Sequence, residues 1–273
     1  MSDRSICMNK KVFIYANKTE NSARIEKNLR NKLVKSGLRV HEDFDEDTEL
    51  ILCVGGDGTL LNLMQDLDFP KTPVVGINTG HLGFFQEVPP GKIDEMIFQY
   101  NQGKYTLQSF STVKGCVTTA DGTYRHTGLN EIAVKGLPNY PVHLNISIND
   151  SFIERFSGDG VCVATPAGST GYNYSLGGSI VDPRLHLLQV TPIAPMNSIA
   201  YRSFTSSILL PGTDTLSISP CSQQDSRLTV VFDGRVAEYQ NVKEIKITLS
   251  RKKVNMIRFG NLPFWDKAKS KFL

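Results

Sequence analysis

No stretch of the 273 residues comes near the roughly 18 consecutive apolar residues that a membrane-spanning helix requires, which argues against a membrane protein. The first eleven residues are polar and carry no apolar signal core, so a secretory route is not expected. Cysteine is scarce. Its five copies, Cys7, Cys53, Cys116, Cys162 and Cys221, lie far apart, and an odd number makes a poor disulfide framework. No two of them show metal-ligand spacing. Cys53 and Cys162 stand in apolar runs and read as buried thiols. A reducing cytoplasm fits these features, and the Asn-x-Ser/Thr matches at Asn17, Asn145 and Asn173 are then chance. Charge of one sign is also lacking. Thirty Lys and Arg against 27 Asp and Glu leave +3, too little to argue for a nucleic-acid partner. There is no repeat and no low-complexity tract. What remains is an ordinary folded composition, 40% hydrophobic and 21% charged, long enough for one large domain or two modest ones.

The pattern changes character near residue 105. Before it, strands and helices alternate. Residues 11–16 read as a strand, and 19–36 as a helix with apolar positions at Ile25, Leu29, Leu33 and Val34. Thr19 suits its N-cap and Gly37 its end. Residues 38–41 form a second strand, followed by an acidic connection, 42–49, with six carboxylates. Residues 50–54 and 73–77 are continuous apolar runs, as in a parallel sheet covered on both faces. Short helices are expected at 59–66 and 92–100. This is an open α/β layer. After Lys104 the helical period almost vanishes. Short alternating segments follow, with Asp121-Gly122, Asn149-Asp150 and Asp233-Gly234 as hairpin turns between several of them. One helix candidate, 168–176, interrupts them. The expected fold is an α/β N-terminal domain, residues 1–108, plus a mainly antiparallel β domain, 109–257. Residues 241–273 carry nine basic and two acidic side chains, net +7. They read as a solvated surface or as a basic face that helps hold phosphates.

Two glycine-rich turns and one dipeptide carry the chemistry. Gly55-Gly56-Asp57-Gly58-Thr59 follows a buried strand and precedes a helix, the place where an open α/β sheet binds ligands. Glycines let a phosphate approach the backbone, and a helix start offers free N–H donors. The Lys-Ser/Thr ending of a P-loop is absent. A carboxylate beside phosphates would repel them unless it serves a metal or a substrate hydroxyl, so Asp57 is either that group or part of a plain Asp-Gly turn. The second turn lies within 157–178, where Thr165-Pro166-Ala167-Gly168-Ser169-Thr170 opens the helix candidate with capping and anion-binding residue types. Tyr172 and Tyr174 flank Asn173, with rings suited to a base or to the core. Asn130-Glu131 is a polar pair in an apolar stretch, either a strand end or a clamp for vicinal ribose hydroxyls.

With Asn78-Thr79-Gly80-His81-Leu82-Gly83-Phe84, these blocks follow one another in an order and spacing that resemble the NAD kinases, in particular bacterial members. The resemblance runs from Val12 to Phe264-Trp265. It implies ATP-dependent phosphorylation of the 2′-hydroxyl of the adenosine ribose of NAD, giving NADP and ADP, in a cleft between the two domains. It implies Asp57 as the catalytic proton acceptor with Gly58 beside the substrate, and Phe84 as a ring near adenine. Asn130 and Glu131 would hold the nicotinamide-side ribose, and Asp159 a nicotinamide or ribose contact. Thr170, Gly171, Tyr172, Asn173 and Ser175 would form the adenine-side wall, with Ala194 and Arg235 as further contacts. The last residues, 258–273, are expected to pack back on the first domain. A homo-oligomer, dimer or tetramer, is implied. A divalent cation such as Mg²⁺ would arrive with ATP, since the sequence offers no dedicated metal cluster. The chain departs from the family pattern at Ser157, where a basic residue is common, and at Ala167, Gly171, Met196 and Arg235. A lipid or sugar kinase sharing the Gly-Gly-Asp-Gly turn is the alternative enzyme, but that reading leaves Asn130-Glu131 and the 165–172 block unexplained. A catalytically silent NADP-binding module is the other, and retention of Asp57 speaks against it.

Overall fold

A computed structural model describes residues 10–80, 83–199, 202–260 and 264–272. Cys7, His81 and Leu82 lie outside the described residues. The chain divides into two compact units. One comprises residues 1–110 and 253–273, the other residues 111–252.

The first unit is built on β1 (Lys11–Ala16), α1 (Glu20–Lys35), β2 (Arg39–His41), β3 (Leu50–Gly55), α2 (Asp57–Asp66), β4 (Val74–Asn78) and α3 (Ile93–Asn101). The strands pair in parallel in the order β2, β1, β3, β4. Met256 of the chain's last strand pairs in parallel with Val74 beyond them. Every residue of β3 is buried, as a central parallel strand demands. Thr19 caps α1 by accepting from the Ser22 N–H, and Gly37, at φ 85°, turns the chain out of it. Ile25, Leu29 and Leu33 face the core, one per turn. Val34, expected with them, is 61% exposed, because it lies one residue round the helix from that stripe. The acidic connection is solvated yet tethered, Glu42 to Arg30 and Asp45 to Lys11.

The second unit holds β5 (Thr106–Thr119, entering from the first unit), β6 (Thr123–Gly128), β7 (Glu131–Lys135), β8 (Val142–Ile148), β9 (Ser151–Gly158), β10 (Gly160–Ala164), α4 (Tyr172–Ser175), β11 (Leu187–Ile193), β12 (Ile208–Pro211), β13 (Leu216–Pro220), β14 (Leu228–Phe232), β15 (Arg235–Tyr239) and most of β16 (Val242–Arg258). One sheet runs β12, β11, β10, β7, β14, β15, antiparallel throughout. Strands β16, β13, β8 and β9 pair antiparallel in another, and β5 pairs with β6. Alternating inward residues such as Leu144, Ile146, Leu216, Ile218, Ile245 and Ile247 fill one core. Asn149-Asp150 and Asp233-Gly234 all have positive φ, the hairpin geometry their residue types favour. Strand β15 was not expected from the pattern.

The helix candidate at 168–176 is not one helix. A 3₁₀ turn, Ala167–Thr170, is followed by the single turn α4, and Gly171 between them leaves helical geometry at φ −93°, ψ −135°. Thr165 caps the 3₁₀ turn by accepting the Gly168 N–H at 3.1 Å, but the single continuous helix expected to start here does not form. A final helix, α5 (Phe264–Phe272), belongs to the first unit. No helix among the described residues is long and apolar enough to cross a membrane.

Candidate active site

Asp57 sits at the first position of α2, two residues earlier than the expected helix start. Thr59 makes this possible, since its hydroxyl accepts the Gly56 N–H at 3.2 Å while the Thr59 N–H bonds the Gly56 carbonyl. The Asp57 carboxylate is fixed by backbone. Its two oxygens accept the Phe84 N–H at 2.8 Å and the Phe85 N–H at 3.0 Å. Each oxygen keeps a second lone pair, so the group is oriented without being used up. Gly83 is what lets the segment come this close, because a Cβ there would stand 2.1 Å from Asp57 Oδ1. Gly58 is exposed, with open space where a side chain would point.

The segment carrying these amides is itself clamped. Gln86, fully buried, donates to the Gly56 carbonyl at 3.0 Å. Arg258, 9% exposed, donates to the Phe85 carbonyl at 2.8 Å and pairs with Glu87. Lys267 of α5, 4% exposed, donates to the Phe84 carbonyl at 2.9 Å. Burial, with the charge of Arg258, pushes the Lys267 ammonium down to about 8, against the opposing pull of Glu87 and Asp57. Two cations of the basic C-terminal run are therefore spent inside the unit and not on its surface. The Phe84 ring is engaged from the same helix. It stacks on Phe272, touches Phe264 and lies 4.9 Å from Lys271 Nζ. Cys53, on the strand below, is a buried thiol pushed up to about 12 by desolvation, hence chemically inert.

In the second unit Asn130 and Glu131 stand where β6 gives way to β7. Asp233, buried in the β14–β15 turn, accepts the N–H groups of Leu129, Asn130 and Glu131 at 2.6, 2.8 and 3.3 Å. Thr165 ties the other side. Its hydroxyl donates to the Leu129 carbonyl and accepts the Gly168 N–H, and its own N–H reaches the Asn130 carbonyl. Gly168 lies so close that a Cβ would stand 2.0 Å from the Asn130 oxygen. With the backbone so occupied, the side chains are left over. Asn130 Oδ1 and Glu131 Oε2 are buried without a hydrogen-bond partner among the described residues. Both side chains face Gly171, where a Cβ would be 3.2 Å from Glu131 Oε2 and 3.4 Å from Asn130 Nδ2. Burial, reinforced by Asp233, pushes the Glu131 carboxyl up to about 8. Two convergent orphaned acceptors are costly in a folded protein and mark a place for hydroxyl donors.

The remaining residues fall into three situations. Asp159 and Ala194 are exposed neighbours, joined by the Asp159 N–H to the Ile193 carbonyl at 2.9 Å, with Ala194 at φ 44°. Tyr172 packs on Ala133, Cys162 and Ile193 and has Lys135 Nζ 5.0 Å from its ring, so the ring serves the core as well as any ligand. Thr170 is half-buried and Ser175 exposed, whereas Asn173 is fully buried and occupied, accepting from Thr191 at 2.6 Å and donating to the Ser169 carbonyl. Asn173 is a brace of the wall, not part of its surface. Arg235 opens β15, half-buried. Of the departures noted above, Ser157 is buried against His143 at 2.8 Å, and Met196 is tied to it through the Ser157 carbonyl. Sequence reasoning missed Gly83, Gln86, Asp233, Arg258 and Lys267 as site-building residues. Asp233, in its Asp-Gly turn, and Gly83, inside the 78–84 block, carried a signal of their own, and Arg258 and Lys267 only the expectation that 258–273 pack back on the first domain.

Comparison with known proteins bears on this arrangement. The family models for the ATP-NAD kinase N-terminal and C-terminal domains match residues 5–105 and 129–259. The chain is 37% identical over 264 residues to an NAD kinase of Finegoldia magna, covering 95% of this chain and 97% of that one. It is 32% identical over 251 residues to an NAD kinase of Staphylococcus aureus, with coverages of 90% and 92%. Among solved structures, an Archaeoglobus fulgidus NAD kinase in complex with ATP matches with a TM-score of 0.75 at 25% identity, over 97% of this chain and 98% of that one. A yeast NADH kinase complexed with NADH matches in fold, with a TM-score of 0.82 at 20% identity, over 97% and 87%.

Proposed function

The chain belongs to the ATP-NAD kinase family, and we infer that it transfers the terminal phosphoryl group of ATP to the 2′-hydroxyl of the adenosine ribose of NAD, giving NADP and ADP. The observation that carries this reading is the carboxylate of Asp57, held by two backbone amides at the head of α2 with a free lone pair on each oxygen. A ribose hydroxyl is too weak an acid to attack while protonated. Asp57 accepts its proton as the bond from the ribose oxygen to the γ-phosphorus forms. The bond from that phosphorus to the β–γ bridging oxygen breaks, and the electron pair leaves with ADP. Magnesium, or another divalent cation, enters as part of the ATP substrate and neutralises its phosphate charge.

Asn130 and Glu131 bind the nicotinamide-side ribose, a role supported by their unpartnered acceptors, which vicinal hydroxyls would satisfy. Asp159 and Ala194 line the nicotinamide side. Thr170, Gly171, Tyr172 and Ser175 form the adenine-side wall with Asn173 behind it, and Arg235 adds a contact. Gly58 lies beside the substrate next to Asp57, and Phe84 is the ring near adenine. In this reading the α/β unit supplies the proton acceptor and the β unit grips NAD. The enzyme works in the cytoplasm as a homo-oligomer, in line with its free thiols and its family. Incubation with NAD, ATP and Mg²⁺ should yield NADP. Failure to form it, with a lipid or sugar phosphorylated instead, would overturn the assignment.

A further inference from the structure

The peptide group joining Phe84 to Phe85 is bonded at both ends. Its carbonyl accepts from Lys267 Nζ at 2.9 Å, and its N–H donates to Asp57 Oδ1 at 3.0 Å. A peptide is a conjugated unit. A cation on its oxygen draws electron density from its nitrogen and strengthens the N–H as a donor, and bonds in such a chain reinforce one another. The adjoining peptide carries a cation too, with Arg258 on the Phe85 carbonyl, but Arg258 is paired to Glu87 and braces the fold there. Lys267 differs. An ammonium only 4% exposed is expensive to desolvate, and packing α5 would be served as well by an apolar residue. Its place on this one carbonyl calls for another reason.

We propose that Lys267 is a positioning residue for phosphoryl transfer, acting through the Phe84–Phe85 peptide to fix the orientation of the Asp57 carboxylate. The proposal rests on Asp57 as proton acceptor. Stronger amide donors hold the carboxylate in one rotamer, so the base is aimed when the hydroxyl arrives. Without the cation the amide bonds weaken, and the carboxylate spends time turned away. The substrates touch neither Lys267 nor the peptide carbonyl in this scheme, so turnover suffers and binding does not.

The test uses the full-length enzyme with NAD and Mg-ATP as substrates, comparing Lys267→Met, which keeps length but not charge, with Lys267→Arg, each also in an Asp57→Asn background. Lys267→Met should lower kcat about tenfold, the loss of part of a charge-assisted bond, with both KM values within about twofold. Lys267→Arg should recover most of the loss. In the Asp57→Asn background, Lys267→Met should cost little more. An unchanged kcat in Lys267→Met, or the same fractional loss with Asp57 already replaced, overturns the proposal. Asp57→Asn turning over near the wild-type rate overturns the proton-acceptor reading itself, and the two failures are thereby distinct.

Should Lys267→Met not fold, the alkaline limb of kcat decides. Lys267 faces Arg258 from β16, Glu87 from the segment after β4, Asp57 from α2 and Lys271 on its own helix. Burial holds its ammonium at about 8, so wild-type kcat should fall as pH rises through that value. Lys267→Arg, which does not titrate there, should lack the limb. A fall retained in Lys267→Arg overturns the proposal.

Discussion

A carboxylate gripped by backbone amides occurs in each unit, and it does opposite work in the two. In the α/β unit the gripped carboxylate is Asp57, the group proposed to do the chemistry, and the amides of Phe84 and Phe85 aim it. In the β unit the gripped carboxylate is Asp233, which organises the backbone of Leu129, Asn130 and Glu131 and leaves the last two side chains unspent. A base must be held still, so its bonds are made before substrate arrives. A binding clamp must have bonds left to make, so its backbone is anchored by something else. The difference predicts that substitutions on the first side strike turnover, and those on the second strike affinity.

Asp57→Asn is the strongest challenge to that division. It keeps shape but cannot take a proton, so kcat should fall at least about a hundredfold. NAD affinity by calorimetry should change far less, and comparable losses in both would collapse the contrast. Asp233→Ala comes next. It strands three N–H groups, each worth about 1–3 kcal/mol when buried unpaired, so thermal stability and the KM for NAD should suffer together. A stable variant with normal KM would show that Asp233 is merely a turn residue. Glu131→Gln should raise the KM for NAD about tenfold through loss of a charge-assisted bond, leaving kcat near wild type.

The same residue gives the pH dependence. In the free enzyme the Glu131 carboxyl is raised to about 8, so its stabilising effect is present below the ordinary carboxylate range and is lost as pH climbs toward 8. Ribose hydroxyls favour the charged form. NAD should therefore bind with proton release below pH 8 and more tightly as pH rises toward it, a trend that Glu131→Gln should flatten. Titrations in buffers of different ionisation enthalpy would show it. The smallest effect is expected at Tyr172, whose ring is shared between core and ligand. Tyr172→Ala should weaken NAD by about 1 kcal/mol, the low end for base–aromatic stacking, and ATP less. Equal loss for both would point to packing alone.

Much of the first unit was legible because its signals are local. The cap at Thr19, the stripe Ile25, Leu29, Leu33 and the uninterrupted apolar run of β3 each decide an element within a few residues. In the β unit, β15 escaped because its residues alternate between half-buried and exposed, with Val236 62% exposed, so no apolar face advertises it. The helix read at 168–176 failed because the backbone of Gly171 leaves helical geometry and breaks the run. In the site, Asp57 and Asn130-Glu131 could be found from residue type beside a strand end. Their supports could not. Lys267 meets Phe84, and Arg258 meets Phe85, across more than 170 positions of sequence, and no short-range pattern encodes such a meeting.

The first unit also draws on both ends of the chain. Residues 1–110 leave the ribosome early, yet the strand segment that pairs with Val74 and the helix that holds the Phe84 carbonyl are among the last to be made. The intervening 111–252 form a self-contained body that can fold while the first unit still waits for its closing pieces. A chain that stops just short of residue 253 would hold the whole second unit and lack the strand segment and the helix that close the first.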